Sequence, residues 1–93
     1  MLNVEIKKIR KKLDKIDLEL LAILKKRIFL VNKVIKFKKS KKEIIDKKRI
    51  NFILKKIKNK SIQNKIDPKI TKRIWTNMIW SFIDYERRNF NKK

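Results

Sequence analysis

The sequence contains no glycine, no cysteine and no histidine, and it has a single proline. Without cysteine and histidine the chain has no disulfide, no thiolate nucleophile, no imidazole base and none of the usual zinc ligand sets. Without glycine it has no glycine-rich phosphate loop and little of the turn chemistry that hairpins need. With 42% apolar residues in 93, the composition predicts an all-α fold, with residues 1–93 as one small domain.

Long hydrophobic runs are also missing. No apolar run approaches the ~20 residues that a membrane-spanning helix needs. The N-terminal stretch "MLNVEIKKIRKKL" is amphipathic and charged, without the uninterrupted apolar region of a signal peptide. We therefore expect a cytoplasmic protein that does not associate with membranes.

Acidic residues are scarce, with 9 against 30 basic ones and a net charge of +21. Such an excess makes nucleic-acid binding an alternative to consider. However, 24 of the basic residues are Lys and only 6 are Arg, although Arg is the better residue for bidentate phosphate recognition. The Lys residues are also spread along the whole chain. A solvated, Lys-coated surface is therefore the favoured interpretation, and specific nucleic-acid binding is the alternative.

Apolar residues at three- and four-residue steps predict three helices. The first runs from about Leu2 to Lys38 and ends before the polar stretch "KKSKKE". Asp46 is the expected N-cap of the second helix. A polar connection is expected over residues 59–65. Asp67 as N-cap and Pro68 at the first helical position mark the start of the third helix.

The length of the first helix predicts a dimer. Some 36 residues at ~1.5 Å rise span roughly 55 Å, whereas a compact chain of 93 residues has a radius of gyration of about 12 Å. A helix this long would expose apolar surface unless a second copy packed against it. We expect an interleaved helical homodimer.

Several charges share a face with apolar residues. Arg27 and Lys38 are eleven residues apart, which places them on the same side of a helix about 16 Å from each other. Arg10 is turned off that face and would reach the same ligand only from an antiparallel partner chain. Arg49 and Glu86 lie on apolar stripes of the second and third helices. Each alone is explained by a long side chain that keeps its charge in water, but together they suggest a pocket for a small polyanion.

The segments that carry these charges resemble the all-α class of chorismate mutases over nearly the whole chain. The stretch "IRKKLDKIDLELLAILKKRIFLVNKVIKFKK" is similar to the first helix of that class. Its motif residues are Arg10, Asp17, Leu20, Leu21, Arg27 and Lys38. "DKKRINFIL" resembles the second helix through Asp46 and Arg49, and "IDPKITKRIWTNMIWSFIDYERRNF" resembles the third through Tyr85 and Glu86.

The resemblance implies a homodimer that converts chorismate to prephenate in phenylalanine and tyrosine biosynthesis. The reaction is a pericyclic rearrangement that uses no cofactor, no metal, no nucleophile and no general base. Catalysis would come from clamping the reactive conformer and from electrostatic stabilisation. By position, Arg27 and the partner subunit's Arg10 would hold the two substrate carboxylates.

The remaining roles are also implied by position. Lys38 would donate a hydrogen bond to the ether oxygen as the carbon–oxygen bond breaks, and Glu86 would donate to the same oxygen from the other side. Arg49 would help to position the substrate, and Asp46 would lie near the ring hydroxyl. The expected catalytic residues are therefore Lys38, Glu86 and Arg27.

Two positions depart from the family pattern. Many relatives carry Gln where this chain has Glu86, and a carboxyl group can donate a hydrogen bond only while protonated. We therefore expect activity to rise toward acidic pH. Ile50 stands where many relatives have a Glu that contacts the ring hydroxyl. Isochorismate pyruvate lyases share the fold and also have an apolar residue at this position. Isochorismate pyruvate lyase activity is therefore the nearest alternative function. A degenerate mutase kept as a structural or regulatory partner is another.

Overall fold

The computed structural model describes residues 2–90, and for Leu2 the backbone alone. The chain forms α1 (Leu2–Phe37), a 3-10 turn (Lys41–Glu43), α2 (Lys47–Gln63) and α3 (Pro68–Asn89). No strand occurs over this range. The all-α prediction of three helices with a very long first one is confirmed, and α1 ends one residue earlier than expected.

The described residues form two compact units, one ending at Lys33 and the other beginning at Val34. In the first unit α1 runs without a break, because it contains neither Gly nor Pro. Between residues 3 and 33 only Arg27 and Val31 are not classed as exposed. Apart from Val31, the large apolar side chains described in this unit are 36–65% exposed: Val4, Ile6, Ile9, Leu13, Ile16, Leu18, Leu20, Leu21, Ile23, Leu24, Ile28, Phe29 and Leu30.

The second unit contains a small core between the 3-10 turn, α2 and α3. Ile44, Ile79 and Ile83 are buried at its centre. Half-buried apolar residues pack around them: Ile45, Ile50, Ile53, Leu54 and Phe90. Ile44 follows the 3-10 turn directly, so the turn is tied to the core by its neighbouring residue. This core sets the position of the inner face of α3.

Both predicted N-caps are present. The Asp46 carboxylate accepts a hydrogen bond from the Arg49 backbone N–H at 3.0 Å, and α2 begins at the next residue. The Asp67 carboxylate accepts from the Lys69 N–H at 2.9 Å, and Pro68 follows it at the start of α3. Each cap satisfies a helical N–H group that has no partner within its own helix.

The predicted polar connection over residues 59–65 is wrong, because α2 continues to Gln63. The reason is a buried polar contact: Ser61 Oγ lies 2.7 Å from Thr71 Oγ1 and 2.6 Å from the Ile57 carbonyl oxygen. Ser61 therefore holds the last turn of α2 against α3, although a serine in a polar stretch predicts a loop.

A Schellman motif ends α2. The N–H of Ile66 donates to the Ser61 carbonyl at 2.8 Å, and the N–H of Lys65 donates to the Ile62 carbonyl at 3.1 Å. Lys65 has φ of 58°, a left-handed conformation that costs a residue with a Cβ roughly 1–2 kcal/mol. Glycine normally occupies this position, and the chain has none.

Over residues 2–90 no helix is both long enough and apolar enough to cross a membrane. The same residues contain no group of three or more potential protein ligands that could hold a metal ion.

Candidate active site

Lys38 and Glu86 are in direct contact. The Lys38 Nζ donates a hydrogen bond to Glu86 Oε1 at 2.9 Å, across 48 residues of sequence. The two side chains are 20% and 10% exposed, respectively. Because water is largely excluded from the contact, this ion pair is screened less than a surface pair would be. The structure therefore joins two of the residues that the sequence singled out.

Glu86 is buried on the inner face of α3. It follows the buried Ile79 and Ile83 on one stripe, and the half-buried Phe90 is one turn further on. This is the arrangement predicted from the helical spacing. A carboxylate at the edge of an apolar core is costly to bury unless it is paired, and Lys38 supplies the partner.

Lys38 is the first residue after α1. Its backbone N–H still donates to the Ile35 carbonyl at 3.2 Å, and Ile35 itself is buried. The ammonium group therefore extends from a backbone position that the end of the helix defines.

Glu43 organises the turn that follows Lys38, and sequence reasoning missed it. Its Oε2 accepts hydrogen bonds from the backbone N–H groups of Lys39 and of Ser40, the latter at 3.1 Å. These hydrogen bonds, with the Lys39 one contributing most, hold the pKa of the Glu43 carboxyl below its usual range. The sequence signal was the Ser-x-x-Glu spacing of a capping box, "SKKE".

Asp46 lines an open cavity of about 570 Å³. Its lining residues include Lys38, Glu43, Ile45 and Asp46. Asp46 is exposed and caps α2, so its carboxylate is already held by one backbone N–H group. Its expected place near a substrate hydroxyl stays a prediction.

Arg49 is exposed in the single chain, and its guanidinium carbon lies 5.5 Å from the centre of the Phe52 ring. Its expected place in the site stays a prediction. A planar cation gains from stacking on an aromatic face while it keeps its hydration. Phe52, three residues further along α2, offers that face on the solvent side.

Arg10 and Arg27 belong to the unit that ends at Lys33. Arg10 is exposed, whereas Arg27 is half-buried and its Nε atom is buried. Burial of a guanidinium nitrogen on a helix whose apolar residues are mostly exposed distinguishes Arg27 from the other cations of this unit. A site completed by the partner subunit's Arg10 stays a prediction.

Ile50 packs against the apolar core of the second unit. Its side chain is thereby used for packing.

A second cavity, of about 410 Å³, lies between α2 and α3 and is lined by Leu54, Ile57, Pro68 and several Lys residues. It contains none of the predicted site residues.

The family model for chorismate mutase type II matches residues 9–87. The chain belongs to the chorismate mutase type II family. Its reaction is therefore the rearrangement of chorismate to prephenate, an isomerisation in aromatic amino acid biosynthesis, and chorismate is its substrate. A search of curated proteins and a search of solved structures returned no match.

Proposed function

We propose that Lys38 and Glu86 form the catalytic centre at which this chorismate mutase acts on the ether oxygen of its substrate. The observation that carries the proposal is the 2.9 Å contact between the Lys38 Nζ and Glu86 Oε1. Two groups that touch without substrate can both lie within hydrogen-bond distance of one oxygen atom placed beside them.

The chemistry suits such a pair. In the rearrangement the ether carbon–oxygen bond breaks while a carbon–carbon bond forms, and no proton or electron is exchanged with the protein. Negative charge develops on the ether oxygen, and the Lys38 ammonium stabilises it more strongly in the transition state than in the ground state. Glu86 contributes a second hydrogen bond when it is protonated.

Four further residues complete the proposed site. Arg27 and the partner subunit's Arg10 hold the two substrate carboxylates, which fixes the reactive conformer. Arg49 leaves Phe52 to help position the bound substrate, and Asp46 lies near the ring hydroxyl. The support is the family membership, the half-burial of Arg27 and the place of Asp46 beside Lys38 in one cavity.

The proposed active form is an interleaved homodimer with two equivalent sites. Its support is the row of large apolar side chains on α1 that are 36–65% exposed in the single chain. A soluble chain rarely leaves so many neighbouring apolar groups in water, and such surfaces mark contacts with a partner. A cytoplasmic location and the absence of a cofactor remain predictions.

Mixing two inactive variants tests whether the site is shared between chains. Arg10→Ala and Arg27→Ala dimers should each lose most of their turnover. If one site uses Arg27 of one chain and Arg10 of the other, a mixed dimer has one intact site. Random exchange of subunits should then restore about one quarter of wild-type activity. Lys25→Ala removes an exposed cation of α1 and is the control for the loss of one positive charge.

No recovery on mixing would contradict the shared site. Turnover unaffected by Lys38→Ala, with Lys42→Ala as its surface control, would contradict the catalytic centre itself. Supplying isochorismate in parallel tests the lyase alternative, which would yield pyruvate and salicylate.

A further inference from the structure

The backbone around Lys38 is anchored on both sides. Ile35, three residues before it, and Ile44, six residues after it, are 7% and 3% exposed. Between these two buried residues the chain leaves α1, passes through an extended stretch and enters the 3-10 turn Lys41–Glu43. From Lys38 to Glu43 the chain contains no apolar side chain that could pack, so the backbone that follows Lys38 is held by local hydrogen bonds.

Glu43 supplies those hydrogen bonds. Its carboxylate accepts from the backbone N–H groups of Lys39 and Ser40, which directly follow Lys38. The backbone N–H of Glu43 donates in turn to the Ser40 carbonyl at 3.1 Å. A single exposed side chain therefore closes the loop and fixes the direction in which the chain leaves Lys38.

The electrostatics of the turn favour the same arrangement. The two backbone hydrogen bonds lower the pKa of Glu43 most, and the Lys39 and Lys38 ammonium groups lower it further. Glu43 therefore stays ionised at neutral and mildly acidic pH, where it is a strong acceptor for both N–H groups.

We propose that Glu43 is a positioning residue for catalysis: by holding the two N–H groups after Lys38, it fixes the ammonium group against Glu86 and the substrate oxygen. This inference rests on the proposed catalytic role of Lys38. Small displacements of a catalytic group are costly, since a misplacement of about 1 Å can reduce a rate by about 100-fold.

The test compares Glu43→Ala, which removes the acceptor, with Glu43→Gln, which keeps a carbonyl oxygen in its place. We expect Glu43→Ala to lower kcat by about tenfold and to change KM by less than about threefold, because the arginine clamp that binds substrate is intact. Glu43→Gln should retain kcat within about threefold of wild type. Asp84→Ala removes another exposed carboxylate of the same unit and should leave both constants unchanged.

A double variant separates positioning from a general effect on folding. In a Lys38→Ala background, adding Glu43→Ala should cause no further loss of kcat, since the group being positioned is gone. If Glu43→Ala does not fold, Glu43→Asp replaces it, because its shorter side chain cannot reach both N–H groups; it should lose kcat while Glu43→Gln does not.

The possible failures are distinguishable. If Lys38→Ala turns over chorismate like wild type, the proposed catalytic centre is wrong. If Lys38→Ala is impaired but Glu43→Ala is not, or if the two losses multiply, Lys38 is catalytic and the positioning role of Glu43 is refuted. Equal losses in Glu43→Ala and Glu43→Gln would also refute it.

Discussion

Replacing Glu86 by Gln should remove the pH dependence of the rearrangement. In the free protein Glu86 Oε1 accepts a hydrogen bond from the Lys38 ammonium at 2.9 Å in a largely buried contact. Only the protonated fraction can stabilise the ether oxygen. An amide at the same position donates at every pH, and its carbonyl oxygen can still accept from Lys38.

The expected direction follows from the need for a donor. A carboxyl group donates a hydrogen bond only in its protonated form, which lower pH favours, so wild-type kcat should be higher at pH 6 than at pH 8. The Glu86→Gln variant should vary by less than about threefold. At pH 8 the variant should be the faster enzyme, by no more than the roughly 10²–10³-fold that one such hydrogen-bond donor contributes.

The assay is the initial rate of chorismate consumption at saturating substrate, measured at half-unit steps of pH. Asp84→Asn, which removes an exposed carboxylate of the same helix, is the matched control and should keep the wild-type profile. A wild-type kcat that is flat from pH 6 to pH 8 would refute the role of Glu86 as a donor, and so would a variant profile with the wild-type slope.

Three further predictions concern stability. Ser61→Ala should lower the free energy of unfolding, measured by urea titration, by about 1–2 kcal/mol, because it leaves the buried Thr71 hydroxyl without its closest partner. Adding Thr71→Val should recover most of this loss, and additive losses in the double variant would contradict the coupling of the two hydroxyls. Lys65→Gly should raise Tm by several degrees, since glycine relieves the left-handed backbone; a fall in Tm would refute the strain. Raising KCl from about 20 mM to about 500 mM should raise Tm, because a net charge of +21 repels itself less when screened; a Tm independent of salt would mean that the repulsion is negligible.

The helices and their starts could be predicted because their causes are local. Apolar spacing fixes a helical face, and a side-chain acceptor before the first turn fixes its beginning, as Asp46 and Asp67 do. The end of α2 could not be predicted in this way. It depends on Ser61 meeting Thr71, ten residues away, and on Lys65 adopting a backbone conformation that normally indicates glycine.

The orientation of a site residue could be predicted where the burial of neighbouring residues on its helix determines it. Glu86 has buried neighbours on its stripe and faces inward as predicted. Arg49 is exposed in the single chain and lies against the Phe52 ring, a contact that a helical projection does not show. Arg10 and Arg27 depend on a second chain in the proposed site, and no single-chain pattern determines how two copies meet.

The nucleic-acid alternative, suggested by the charge alone, leaves the buried ion pair unexplained. A protein that binds phosphates through surface Lys residues has no need for a buried glutamate paired with a partly buried ammonium group. Any affinity for nucleic acid should therefore fall steeply with salt and should be unchanged by Glu86→Gln.

The most direct test of the catalytic centre is the rate at which the purified protein forms prephenate from chorismate, compared with the same rate for Lys38→Ala. We expect measurable turnover by the wild type and a loss of about 100-fold or more in the variant, because one charged donor to the ether oxygen is removed. Equal rates for the two proteins, with both folded, would contradict the account.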